Sequence, residues 1–139
     1  MTSGVLGEGA VALHRVACAL DSVRDRLTEY GAGFFEEELR ARPYDHLCRL
    51  EQEMDALTEQ LSVNLGREHE AAAAFAAARA AVCDIVRALD LLRNRDGHQV
   101  FNGQKVADEA MEQLEGRRAT FDACRDQFMD APRDPPAGR

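Results

Sequence analysis

At 139 residues the chain has the size of one domain, and 45% apolar residues suffice for a core, which excludes wholesale disorder. The net charge of −8 argues against a duplex nucleic-acid binder, which needs a basic face to displace counterions, and against docking on anionic membranes. Aromatic residues make up only 6% and tryptophan is absent, so the expected core is aliphatic and alanine-rich.

Residues 1–9 hold three glycines and are expected to form a flexible N-terminus. They lack the basic and apolar regions of a signal peptide, and no apolar run has transmembrane length. The expectation is a cytoplasmic protein that makes no membrane insertion, with Cys18, Cys48, Cys83 and Cys124 as reduced thiols. The first helix is predicted from about Ala10 to Tyr30. Leu13, Val16, Leu20, Val23, Leu27 and Tyr30 repeat there at 3-4-3-4-3 spacing, the seam of a helix that packs lengthwise on another. Arg15, Asp21, Arg24, Asp25 and Glu29 make the opposite side mixed in sign and solvated. Gly31 and Gly33 end the element, where glycine serves as a left-handed cap.

Phe34 to Arg40 reads as a short helix or turn with three acids in its first turn, which favour the positive end of the helix dipole. Phe34 and Phe35 either plug the end of a bundle or anchor a partner. Pro43 then suits the first position of the next helix. From Tyr44 to Arg93 there is no proline and one glycine, Gly66. Fifty residues at about 1.5 Å each would make a rod of roughly 75 Å. Leu47, Leu50, Met54, Leu57 and Leu61 form its seam. The next seam position is the polar Asn64, Leu65 restarts the pattern one residue late, and Gly66 follows. This stretch reads either as one bent continuous helix or as two helices broken at Asn64–Gly66. Beyond it, nine alanines surround Phe75 between Ala71 and Ala81, the best intrinsic helix former in a run that buries little area. Val82, Ile85, Val86, Leu89 and Leu92 restore an apolar stripe.

Asp96-Gly97 and Asn102-Gly103 are turn dipeptides that mark the next break. The final helix is predicted from Asn102 or Gly103 to about Phe128, with Ala107, Ala110, Leu114, Phe121, Cys124 and Phe128 inward. Arg117 falls on that stripe, either snorkelling or paired. Residues 131–139 carry three prolines and are expected as a disordered tail.

No catalytic, cofactor-binding or metal-ligating set emerges, and no cofactor is implied. The residues three before His14, His46, His69 and His98 are Val11, Pro43, Gly66 and Arg95, so the Glu-x-x-His of di-iron bundles is absent. His69-Glu70 opens HExxH, but Ala72 and Ala73 follow in place of the second ligand. The histidines read as surface or interface residues. The cysteines show no CxxC pairing and no histidine at metal spacing. Glu51, Asp55 and Glu59 lie off the leucine seam and read as a solvated face, whereas a magnesium-dependent helical hydrolase needs acids converging from two helices.

The fold expected is therefore all-α: a helical bundle or antiparallel coiled coil built on one long central helix, with a short helix before it, and one domain over 10–130. The function expected is a non-enzymatic protein–protein interaction module, a small subunit or adaptor, binding protein partners, itself or both. A homo-oligomeric ligand-sensing bundle and a metal-dependent hydrolase are the alternatives. Phe34, Phe35, Leu47, Leu50, Met54, Leu57 and Leu61 are the candidate interface. From Tyr44 to Glu70, seven acids against Arg49 and Arg67 leave a net −5, which favours a partner with basic flanks.

Overall fold

A computed structural model describes residues 2–30, 37–96 and 103–131, with side chains described over 4–29, 45–91 and 108–131. The described residues are all-α and contain four helices: α1 (Thr2–Tyr30), α2 (Glu37–Leu65), α3 (Glu70–Asp96) and α4 (Gly103–Asp130). They are of nearly equal length, 27 to 29 residues, or about 40 Å each.

The long central helix expected from the sequence is divided at residues 66–69. Gly66 N–H donates to the Ser62 carbonyl at 2.9 Å, and Gly66 itself has φ +91°. A side chain rarely adopts that left-handed geometry, so glycine sits where α2 must stop. His69 N–H then donates to the Gly66 carbonyl at 3.1 Å and closes the turn. His69 also caps α3. Its Nδ1 accepts the Ala71 N–H at 3.0 Å, and its carbonyl accepts the Ala73 N–H at 2.9 Å. An imidazole thus takes the capping place that Ser, Asp or Asn usually fills. The polar Asn64 on the expected seam is exposed, and its side chain donates to the Gln60 carbonyl one turn back.

Other boundaries shift as well. The separate short helix before the central one is absorbed into α2, which starts at Glu37 and runs through Pro43. One proline removes a single main-chain donor, and here the helix continues past it. The first helix starts at Thr2 rather than near Ala10. Within the 1–9 stretch expected as a flexible lead, Leu6 and Gly9 are buried, and Leu6 extends the inner seam back one heptad from Leu13. The last helix starts at Gly103, as its turn signal predicts. The expected tail beyond Ala131 lies outside the described residues.

Each helix packs on the next, and α1 closes the ring against α4. Cross-helix contacts fix the directions. On α1 and α4, Gly9 lies near Phe128 while Asp21 pairs with Arg118, so the two run antiparallel. On α3 and α4, Phe75 meets Phe128 while Asp84 pairs with Arg117, again antiparallel. The chain is an up-down-up-down helical bundle. The predicted inner seams supply its core: Leu13, Val16, Leu20, Val23 and Leu27 from α1; Leu47, Leu50, Met54 and Leu61 from α2; Phe75, Val82, Ile85 and Leu89 from α3; Ala110, Leu114, Phe121 and Phe128 from α4. Among the described helices, the contact of α3 with α4 is the most extensive. Ala71, Ala74, Ala78 and Ala81 are buried on α3, and small side chains let the two backbones approach.

One end of the bundle is sealed by aromatic rings. Phe75 and Phe128 are fully buried, with ring centroids 5.7 Å apart and planes tilted by 58°, within the usual spacing of favourable aromatic pairs. Gly9 lies against them. A Cβ there would meet Phe128 Cζ at 2.8 Å and Phe75 Cε2 at 3.5 Å, whereas one at Gly7 would meet nothing within 4 Å. Both glycines are in the same helix, so their substitution separates propensity from packing. Gly7→Ala should stabilise the fold by up to about 1 kcal/mol through helix propensity. Gly9→Ala should destabilise it by about 1–3 kcal/mol through overpacking. Denaturant unfolding checks both, and equal gains for the two would mean that the aromatic end is loosely packed. At the turn, His69→Ala should cost about 0.5–2 kcal/mol, and His69→Asp should recover most of it as a replacement cap. If His69→Asp unfolds as readily as His69→Ala, capping is not what His69 contributes.

Candidate functional site

Four of the expected interface residues, Leu47, Leu50, Met54 and Leu61, are buried inside the bundle and satisfied by the chain itself. Leu57 is half-buried, packing partly on the core and partly on a surface groove. Phe34 and Phe35 lie outside the described residues. The stripe that looked like an external seam is therefore mostly interior, because α2 folds back against α3 instead of extending away from it.

Arginine-centred ion pairs mark all four edges between neighbouring helices. Arg15 Nη1 reaches Glu53 Oε1 at 3.1 Å across α1 and α2. Arg79 spans α2 and α3, 3.4 Å from Glu51 and 3.3 Å from Asp55. Its Nε is buried and off the hydrogen-bonding angle, so the Asp55 contact is ionic rather than an aligned bond. These two acids thus face α3, a correction to the wholly solvated face expected for them. Arg117 lies 4.0 Å from Asp84 across α3 and α4, paired at the edge rather than placed in the core. Arg118 is the best-held of the set: it donates to Asp21 at 2.6 Å and to Asp122 at 3.0 Å. Burial works against its charge, but these hydrogen bonds and the charges behind them hold the guanidinium above the usual arginine range.

Three grooves stand out among the described residues. The largest of these three, about 660 Å³, lies between α1 and α2. Gly7, Val11, Ala12, Ala56 and Leu57 form its apolar floor, and Glu8, Arg15 and Glu53 its rim. Val11, one of its lining residues, stands 59% exposed. A second, of about 340 Å³, between α3 and α4 is mixed in sign, with Arg87 and Arg117 opposite Asp84 and Glu109. A third, of about 500 Å³, near the aromatic end is flanked by Glu70 from α3 and by Asp126 and Asp130 from α4. All three acids are exposed, and no group of three or more potential ligands gathers among the described residues. The convergence of acids from two helices that a metal-dependent hydrolase needs is not formed there.

Histidines and cysteines fall in several environments. His69 is the buried cap, not a surface residue, and His46 is half-buried, while His98 lies outside the described residues. His14 and Cys18 are both exposed, and Cys18 Sγ lies 3.7 Å from His14 Nε2. The two are four residues apart on a predicted helix, which places them on one face, and that spacing was the readable signal.

No helix among the described residues is long and apolar enough to cross a membrane. Thiol chemistry offers a direct check of the packing. Cys124 is buried on α4, and burial pushes its thiol pKa up, so less thiolate forms at any given pH. Thiolate is the reactive form. Iodoacetamide followed by mass mapping near pH 8 should modify exposed Cys18 first and Cys124 last. Comparable rates at the two sites would contradict the burial of the α4 seam. No protein-family model, curated protein or solved structure matches this chain.

Proposed function

We propose that this protein is a non-enzymatic helical interaction module, an adaptor or small subunit, and that the α1–α2 groove is where it takes a protein partner. The observation that carries the reading is Val11, 59% exposed over a 660 Å³ apolar groove, on a bundle whose leucine seam is already used internally. A helix laid between α1 and α2 would cover Val11, Ala56 and Leu57, the helix-in-groove mode of recognition. The rim holds Glu8 and the Arg15–Glu53 pair, and the whole chain carries −8, so a partner with basic flanking residues is favoured.

The reading transfers the interface from the buried leucines to Val11 and Leu57. Val11→Glu should leave the melting temperature nearly unchanged, because the position is exposed, while reducing partner binding at least tenfold. Val63→Glu, at a 78% exposed position outside the groove, should leave binding unaltered. The measurement is quantitative co-purification with cross-linking from the native host, comparing wild type and both variants. A partner held equally by wild type and Val11→Glu would refute the groove as the docking face.

A further inference from the structure

The outer side of α1 carries a second row at heptad spacing: Gly4, Gly7, Val11, His14 and Cys18, all exposed. His14 and Cys18 are its most chemically distinctive members. Zinc holds a cysteine sulfur at about 2.3 Å and a histidine nitrogen at about 2.0–2.1 Å. At a tetrahedral angle those bonds set the two donor atoms about 3.6 Å apart. The observed Sγ to Nε2 distance is 3.7 Å, so the pair already has the bite of two adjacent zinc ligands. The helix backbone fixes both Cα positions, which limits the ordering needed on binding.

Two ligands leave a structural zinc site half complete, since such sites take four. No third potential ligand gathers nearby among the described residues. The same pair on a second copy completes the set, because a two-fold axis beside α1 brings identical faces together. The outer row suits this approach: Gly4 and Gly7 have open space where a side chain would stand. The net charge of −8 opposes pairing of bare copies.

We propose that His14 and Cys18 are half of a Cys2His2 zinc site, and that one zinc ion joins two copies of this chain through it. On binding, each thiol loses its proton and each imidazole binds as the neutral ring. Two protons are released per ion, and the closed site is neutral. The inference requires no other protein and rests on His14 and Cys18, which do not line the α1–α2 groove, although Gly7 and Val11 belong to both faces and a zinc-joined pair would compete there with a helix in the groove.

The experiment is light scattering on the purified, reduced, chelator-treated full chain as zinc chloride is added. The mass should rise from 15.4 kDa to about twice that value, saturating at one zinc per two chains and reversing with chelator. Cys18→Ser and His14→Ala should both stay at the single-chain mass with zinc present, while Cys48→Ser should double like the wild type. Cobalt(II) in place of zinc should give thiolate charge-transfer absorption in the wild type and none in Cys18→Ser. The proposal is overturned by a mass that zinc does not move, by zinc bound one per chain without pairing, or by a zinc-induced dimer that survives Cys18→Ser.

Discussion

The reversal at Gly66–His69 is the constraint on which the rest of the molecule depends. Two local devices make it: a glycine at φ +91° that ends α2, and an imidazole that accepts the Ala71 N–H to begin α3. Without the reversal, the apolar faces of α2 and α3 would lie along one rod that two shorter neighbours cannot cover. With it, Arg79 on α3 comes within reach of Glu51 and Asp55 on α2, and the leucines between Leu47 and Leu61 face their own chain. The core, the edges and the surviving exposed face all follow from that one turn.

Side-chain size then decides how the helices meet. Small residues are buried along α3, where Ala71, Ala74, Ala78 and Ala81 lie in the core, and Gly9 sits against the Phe75–Phe128 pair. Burial of whole side chains at about 25 cal/mol per Å² supplies the driving force, and alanine contributes little of it. The heavy contribution comes from Phe75, Phe121, Phe128 and the leucines and isoleucine of the inner seams. The arginine pairs at the four edges add less. Most are substantially exposed, and such pairs contribute about 0.2–1 kcal/mol each and weaken with salt. Their value is in matching neighbours, since the partner on the facing helix is acidic at every edge.

Much of the fold was legible in the sequence. The 3-4 spacing of Leu13 to Leu27 and of Leu47 to Leu61 identified inward faces that are buried in the bundle, and Asn102-Gly103 located the start of α4. Asn64 to Gly66 announced a weak point, but periodicity alone does not say whether a weak point bends or reverses a helix. That is decided by φ at Gly66 and by the buried His69, whose capping role has no familiar sequence signature. The candidate site was less legible. An apolar seam looks the same whether its cover comes from the same chain or another, so the leucines were placed outside when the fold uses them within. Val11 and Cys18, off the inner seam, are among the described positions left exposed. The separation of His14 and Cys18 by one helical turn was readable, but it becomes chemistry only with the 3.7 Å contact.

The central claim, that the chain turns back on itself at Gly66–His69, is tested most directly by a distance across the turn. Nitroxide labels at Gln52→Cys and Ala80→Cys, both exposed positions on facing helices, suit a double electron–electron resonance measurement in a background without the native cysteines. Dilution with unlabelled chain restricts the reading to distances within one molecule. Helices packed side by side lie about 8–10 Å apart, so with the label arms the account predicts a distance below about 25 Å. A continuous helix would separate the two backbones by about 42 Å, and a distance of that order would contradict the hairpin and return the leucine seam to the surface.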